Sequence, residues 1–278
     1  MIESGNLFRL QSKLTRKNRT IPVVSLEKDY MLTWILIGIS RTKASKLFSF
    51  KGGTALKKFY FDNYRFSEDL DFTLMENISI DELEGLLEEV YSVVLDASNL
   101  RLAFSSKENH TNSYIFYINY SGPLGADITK RQVKIDFTID EKLIYSPIMR
   151  TLNKEYDEYV DIPEDIKLRV YPLKEIFIEK YMSIMDKARN EPRDIYDLWY
   201  LVSKECLKYD LLGPKIRKKG EYKDLNNFDI LTVLNKKEKN YKTLWDKRLG
   251  DQMLDLPYFD EVYRELKRRL RSLNDKLI

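Results

Sequence analysis

The sequence predicts an α+β protein, a mixed α/β part reaching to about residue 165 and an all-helical part over 166–278. Three observations predict it. Segments with strict polar–apolar alternation, Asp69–Leu74 and Val133–Ile139 above all, are confined to the first part. From Pro172 onward every apolar pattern has helical spacing. Apolar residues make up 43% and charged residues 33% of the 278, enough apolar material to close a core over that length.

Taken in order, residues 27–45 read as a helix, with Tyr30, Leu32, Ile35, Leu36 and Ile39 at mostly helical spacing, so the first part carries a helical N-terminal segment. Phe48–Phe50 is a short strand, Lys51–Gly53 a turn, and Thr54–Tyr60 a short helix. Asp69–Leu74 alternates as a strand does. Residues 79–97 place Leu83, Leu86, Leu87, Val90 and Val94 on one face of an amphipathic helix. Three β-rich segments follow at 100–106, 113–120 and 132–139, the last two separated by Ser121-Gly-Pro-Leu-Gly125. Residues 144–171 are irregular with short strands. Helices are expected at 172–189, 193–208, about 226–249 and about 259–276.

Composition removes several chemistries. One cysteine, Cys206, excludes a disulfide framework and a Cys-rich zinc site, and is expected to be a small core residue. One histidine, His110, in an expected exposed hairpin turn, leaves nothing for His-based metal clusters or a Ser-His-Asp triad. Any metal should be a hard cation held by carboxylates. The longest apolar run, Met31–Ile39, is far short of the ~18 residues a membrane span needs. Cations at Arg9, Lys13, Arg16, Lys17 and Arg19 break any signal-peptide pattern, so a cytoplasmic protein with no membrane partner is expected. Charge is uneven: residues 204–278 hold 19 Lys+Arg against 13 Asp+Glu, while the remainder is slightly acidic. A basic tail is either a solubilising surface or a surface for an anionic partner.

The first chemical clue is Asp69-Leu70-Asp71-Phe72. On a strand, Asp69 and Asp71 share one face while Leu70, Phe72 and Leu74 bury the other. Two adjacent carboxylates repel unless a cation lies between them, so the pair is either a Mg²⁺ (or Mn²⁺) clamp or two acids on an exposed strand. In Val133–Ile139 the apolar residues alternate with Lys134 and Asp136 on the opposite face. If this strand neighbours the first, Asp136 becomes a third carboxylate, and the three acids suit metal ions that bridge a nucleotide's phosphates and an incoming hydroxyl. Upstream, Phe50-Lys-Gly-Gly-Thr-Ala-Leu56 runs from strand through Gly52 and Gly53 into a helix beginning near Thr54. Free N–H groups at such a start, with no Cβ to block a phosphate, suit a triphosphate; a bare Gly-Gly is also a tight turn.

The whole arrangement resembles a known family. KGGTALKKFYFDNYRFSEDLDF, starting at Lys51, resembles the first motif of AbiEii/AbiGii-type toxins, nucleotidyltransferase-like proteins of the DNA polymerase β superfamily from bacterial abortive-infection toxin–antitoxin systems. VKIDF at 133–137 resembles the next motif, and residues 173–201 resemble the helical motifs that follow. The resemblance implies a polymerase β-like core with a mixed sheet, a C-terminal helical domain, a nucleoside triphosphate substrate with Mg²⁺, and a neutralising antitoxin. It also implies an RNA acceptor, since some members transfer nucleotides to the 3′ end of tRNA and so block aminoacylation. By that resemblance Gly52, Gly53, Asp69 and Asp71 match the glycine and DxD motif, with Thr54 beside them. Asp136 holds the place of the third carboxylate, Lys180 matches the motif lysine, and Arg193, Asp194 and Asp197 match the Arg-Asp-x-x-Asp motif. A metal-dependent nuclease and a non-catalytic nucleotide-binding module stay open.

The helical half gives its own reading. Lys180 falls inside the apolar stripe of Leu173, Ile176, Phe177, Tyr181 and Ile184, so it must meet a carboxylate, a phosphate or a cleft. Asp194 suits a helix start after Pro192, where it can cap and pair with Lys180 or Arg193, whereas Asp197 lies away from the next stripe and is expected to pair outward. In the last helix Arg264, Lys267, Arg268 and Arg271 cluster opposite Val262, Leu266, Leu270 and Leu273; this row is either a solvated face or a holder of an RNA backbone.

Overall fold

A computed structural model describes residues 1–16, 19–204 and 207–278. The expectation for Cys206 lies outside the described residues. The chain divides into two compact units: residues 1–141, 147–170 and 251–254, and residues 142–146, 171–250 and 255–278.

The first unit contains α1 (Ser4–Lys13), α2 (Val23–Ser40), α3 (Ala44–Leu47), β1 (Phe48–Lys51), α4 (Gly52–Phe59), β2 (Asp69–Leu74) and α5 (Ile80–Ser98). It continues with β3 (Arg101–His110), β4 (Ser113–Ser121), β5 (Gln132–Thr138), β6 (Ile148–Thr151) and β7 (Lys167–Val170). The strands form one seven-stranded mixed sheet in the order β3-β4-β5-β2-β1-β7-β6. β1 runs antiparallel to β2, and β2 runs parallel to β5. The apolar side of the central strands is an aromatic cluster: Phe50 and Phe72 lie 4.9 Å apart, Phe48 and Phe137 4.9 Å, and Phe72 stacks on Phe137 at 5.5 Å. These contacts fix the pleat, and with it the direction of every charged residue between the phenyl rings.

α2 is apolar nearly all round and correspondingly buried from Leu26 to Ile39. Its deeply buried Glu27 accepts from Leu124 N–H at 2.8 Å and so anchors the Gly122–Gly125 turn. α5 starts with a complete Ser79/Glu82 capping box and ends on Asn99 in the left-handed region, which fixes both ends of the amphipathic segment. α4 is tied down by two buried lysines. Lys57 pairs with Glu155 at 2.5 Å and lies 4.2 Å over the Phe66 ring, and Lys58 pairs with Asp29 at 2.7 Å. Burial pulls the Lys58 ammonium below its ordinary range more strongly than Asp29 pulls it up.

The second unit holds α6 (Leu173–Met185), α7 (Pro192–Ser203), α8 (Gly213–Tyr222), α9 (Ile230–Leu249) and α10 (Phe259–Leu277). Its core gathers Ile195, Leu198 and Val202 of α7, Leu234, Tyr241 and Trp245 of α9, and Val262, Leu266, Leu270 and Leu273 of α10. α6 stops at Met185, short of the expected 189, and the buried Lys237 of α9 binds carbonyls at and beyond its end: Nζ donates to the oxygens of Ile184 (2.9 Å), Arg189 (2.8 Å) and Asp186. α9 starts at Ile230 rather than 226, where Asp229 accepts from Thr232 N–H at 3.0 Å. α8 has no counterpart among the helices expected from the sequence. Pro214 sits in the first turn, where its missing N–H costs nothing, and at Gly220 a Cβ would lie 2.3 Å from the Phe228 ring. His110 ends β3 rather than occupying the turn, exposed and 2.9 Å from Glu108.

Candidate active site

The charged side of β1, β2 and β5 is the site's foundation. The parallel register sets Asp69 beside Lys134 and Asp71 beside Asp136; on the other side of β2, Lys51 of β1 is the partner of Asp71. Neighbouring strands lie about 4.8 Å apart, so the side chains of such pairs are immediate neighbours. All five residues are half-buried, while Leu70, Phe72, Val133, Ile135 and Phe137 beneath them are fully buried. The condition attached to Asp136 in the sequence, that its strand adjoin the DxD strand, is met.

The two glycines are the first residues of α4 rather than a turn before it. Gly52 is required twice over. Its φ of +81° is in the left-handed region, and a Cβ built there would stand 2.3 Å from Asp71 Oδ2. The absent side chain is thus what lets the Asp71 carboxylate sit against the start of α4. The N-cap residue Lys51 gives α4 no side-chain cap, and the N–H groups of a helix's first turn are where an anion is favoured. Thr54 is buried, and its hydroxyl donates to the Asp69 carbonyl at 2.6 Å, bracing the helix start against β2. The loop before β2 is fixed from far along the chain. The buried Arg65 donates to Gln252 Oε1 at 3.0 Å, and Phe66 N–H to the Gln252 carbonyl at 2.7 Å.

Electrostatics on this face is a contest between acids and two lysines. Lys134 Nζ is 3.3 Å from Asp136 Oδ2, and Lys51 Nζ donates to Thr138 Oγ1 at 2.7 Å. Burial pulls the Lys134 ammonium down, but Asp136, by charge and hydrogen bond, and then Asp69 and Asp71 outweigh it, so the net shift is upward. Hard carboxylate oxygens suit Mg²⁺ or Mn²⁺, and Asp69, Asp71 and Asp136 supply them from one face of adjacent strands. Among the described residues no three His, Cys, Asp or Glu side chains are gathered into an ion-holding group. Mg²⁺ commonly takes part of its coordination from phosphate oxygens when a nucleotide is bound, and Asp69 and Asp71 are the residues that would hold it beside them.

In the helical unit the remaining motif residues form a second cluster. Lys180 Nζ, on the buried side of α6, lies 2.7 Å from Asp194 Oδ1 and 2.7 Å from Asp197 Oδ2. Arg189 Nε adds a second cation to Asp194 at 2.5 Å. Burial pushes the Asp194 carboxyl up, but the Lys180 and Arg189 charges outweigh it and hold it below the usual range. Two expectations are corrected. Glu191, not Asp194, caps α7, its side chain accepting from Arg193 N–H at 3.3 Å. Asp197 is fully buried and pairs inward with Lys180 rather than outward. The i, i+3 spacing of Asp194 and Asp197 puts both on the side of α7 that meets α6, a signal present in the sequence. Arg193 turns to its own helix cap, with Nε 3.0 Å from Glu191 Oε1.

The fold of this mixed sheet with its glycine-started helix is similar to that of solved structures. The chain is similar to MenT4, a nucleotidyltransferase toxin from Mycobacterium tuberculosis H37Rv, with a TM-score of 0.63 and 16% identity over 99% of this chain and 90% of that one. It is also similar to JHP933 from Helicobacter pylori, with a TM-score of 0.56 and 17% identity over 91% of this chain and 93% of the other. No curated protein shows significant sequence similarity to the chain. The family model "Nucleotidyl transferase AbiEii toxin, Type IV TA system" matches residues 34–265, and the chain belongs to that family. It is accordingly a nucleotidyltransferase toxin, and the family implies a nucleoside triphosphate substrate and an antitoxin partner.

Two variant sets test the clusters. Asp69→Ala and Asp71→Ala are each expected to lower nucleotide transfer by ~10³-fold or more, the rate equivalent of several kcal/mol of lost charge stabilisation. Melting temperature should hold or rise, because each change removes one of two mutually repelling acids. Retained activity with a clear fall in melting temperature in both variants would contradict this. Lys180→Met leaves two buried carboxylates short of a cation and should cost about 3–5 kcal/mol in denaturant unfolding. Calorimetric titration of the folded variant with nucleotide then reads its functional role, and an affinity equal to that of the wild type removes Lys180 from nucleotide binding.

Proposed function

We propose that the protein transfers a nucleotide from a nucleoside triphosphate to the 3′ end of an RNA, with tRNA as the acceptor class, in a Mg²⁺-dependent (or Mn²⁺-dependent) reaction in the bacterial cytoplasm. The observation that carries this reading is the register that sets Asp69, Asp71 and Asp136 on one face against the Cβ-less start of α4. The first-turn N–H groups of Gly52 and Gly53 receive the triphosphate. Asp69 and Asp71 hold the ion, which when bound neutralises charge building on the phosphate oxygens. Asp136, with Oδ2 occupied by Lys134, presents its other oxygen to the acceptor hydroxyl and takes up its proton. The hydroxyl oxygen bonds to the α-phosphorus as the bond to the β-phosphate oxygen breaks, and pyrophosphate leaves in line. In the helical unit, Lys180 with Asp194 and Asp197 contributes as a pre-formed charge cluster, and Arg193 acts beside it at the cap of α7.

The acceptor is assigned to RNA because α10 exposes Arg264, Arg268 and Arg271, with Lys267 beside them, and buries Val262, Leu266, Leu270 and Leu273 on its other side. A row of cations on a firmly packed helix is a holder for a phosphate backbone. A cognate antitoxin restrains the activity. No helix among the described residues is long and apolar enough to cross a membrane.

The test is incubation of the protein with each labelled nucleoside triphosphate, Mg²⁺ and total RNA. Label should enter one RNA size class with release of pyrophosphate. With Arg264, Lys267, Arg268 and Arg271 all changed to Gln, RNA binding should weaken and its log–log salt slope flatten by up to about 3 units, at roughly 0.7–0.9 per phosphate contact. RNA cut into fragments without triphosphate consumption would replace transfer with a nuclease activity.

A further inference from the structure

We propose that the open side of β4 is a nucleobase site, in which the Tyr117 ring stacks on the 3′-terminal base of the acceptor whose hydroxyl meets Asp136. The inference rests on the nucleotidyl-transfer reading and adds a binding residue on the acceptor side of it.

β4 alternates cleanly. Phe116, Ile118 and Tyr120 are buried beneath the sheet, while Ile115, Tyr117 and Asn119 are only half-buried on the side that carries the acids. The register places Ile115 beside Asp136, and Tyr117 beside Lys134, itself the neighbour of Asp69. Tyr117 is thus the diagonal neighbour of Asp136, a spacing of about 7–8 Å on a sheet. A single nucleoside has that reach. With its ribose hydroxyl at Asp136, its own base comes over Tyr117 and Ile115 lies beside the sugar.

The ring is fixed from its far end. The Tyr117 hydroxyl donates to the Glu108 carboxylate on β3, and His110 Nε2 stands 2.9 Å from Glu108 Oε2. Burial, then the hydrogen bond and charge of Glu108, push the Tyr117 phenol above its ordinary range, so it remains a donor at neutral pH. Glu108 is the register partner of Ile115 rather than of Tyr117, so the tether runs obliquely across β4 and β3. A ring already held in this way loses little freedom when a base stacks on it. Aromatic side chains on an open sheet face are a recurring platform for unpaired RNA bases.

The charges around the ring select a neutral, flat ligand. Glu108 and Asp69 both act on the Tyr117 phenol, with Lys134 opposing them. A phosphate over the ring would meet two carboxylates, whereas a base brings a π-face and no charge. One step further along β4, Asn119 pairs in register with Gln132, whose Nε2 donates to Ser105 Oγ at 3.2 Å and to Asn119 Oδ1 at 3.4 Å. These carboxamides offer donors and acceptors to the edge of a stacked base. The base is the acceptor's because of the strand order. α4 starts from the end of β1, and β1 and β4 lie on opposite sides of β2, so a triphosphate seated at α4 stands across the acids from the ring.

Fluorescence anisotropy on the full-length protein tests this with a synthetic RNA stem–loop that carries a single-stranded 3′ tail, and with the same RNA lacking only the base of its last nucleotide. Wild type should bind the intact RNA about tenfold or more tightly than the abasic one, the scale of one base–aromatic stack. Tyr117→Ala should bind both RNAs alike, at the wild type's affinity for the abasic RNA. Tyr117→Phe, which keeps the ring, should recover most of the preference. Calorimetric titration with each nucleoside triphosphate and Mg²⁺ should give the same affinities for wild type and Tyr117→Ala. Tyr117→Leu repeats the test if Tyr117→Ala melts early. A wild type that binds both RNAs alike, or a Tyr117→Ala that keeps the preference, would overturn the site while leaving nucleotidyl transfer in place. Lost triphosphate affinity in Tyr117→Ala with the RNA preference unchanged would overturn it in favour of the incoming nucleotide's base. A wild type that binds neither RNA overturns it as well, and the labelled transfer assay then shows whether the RNA reading beneath it falls too.

Discussion

The close approach of the Asp71 carboxylate to the backbone of Gly52 is the constraint on which the site depends. Asp71 Oδ2 occupies the space any Cβ at residue 52 would need, and the backbone there already has a φ only glycine adopts readily. Strand, helix start and acid are thereby locked into one arrangement. The Thr54 strut to the Asp69 carbonyl braces the same helix start against β2 independently. The phenyl cluster under the sheet serves the same end from below. It holds the register that makes Asp71 and Asp136 neighbours, and a slip of one residue would turn every charge inward.

A second theme is the use of lysine as an internal brace. Lys57 and Lys58 fasten α4, Lys219 joins Glu175 and Glu179 to the carbonyl of Lys142, and Lys237 closes the end of α6. Each buried ammonium is fully engaged, as desolvation demands. Lys180 belongs to this class by its surroundings, held by two buried aspartates. A sequence motif and a structural brace thus coincide in one residue, and a substitution there reads on stability as well as on function.

Much of this architecture is visible in the sequence. Period-two alternation places β2 and β5 and says which side of each carries acids, and the amphipathic pattern of α10 gives both its buried and its basic faces. What stays hidden is whatever depends on partners distant in the chain. Arg65 and Gln252 are 187 residues apart, and no local period announces their hydrogen bond. The reach of Lys51 across β2 to Thr138 requires the strand order β5-β2-β1, which alternation alone does not supply. α8 has no counterpart among the helices expected from the sequence, and only the structure shows Gly220 packed against Phe228. Asp197 is read as outward-facing because its stripe is judged on α7 alone, whereas its partner lies on α6.

The central claim is that this face binds a metal–nucleotide substrate through Asp69 and Asp71. The most direct measurement is a crystal structure of the protein with Mn²⁺ and a non-hydrolysable nucleoside triphosphate, read by the anomalous signal of the manganese. The account predicts an anomalous peak bonded to Asp69 and Asp71, with the triphosphate at the first turn of α4 and Lys134 still on Asp136. A peak bound to other residues, or a triphosphate seated away from Gly52, would contradict it.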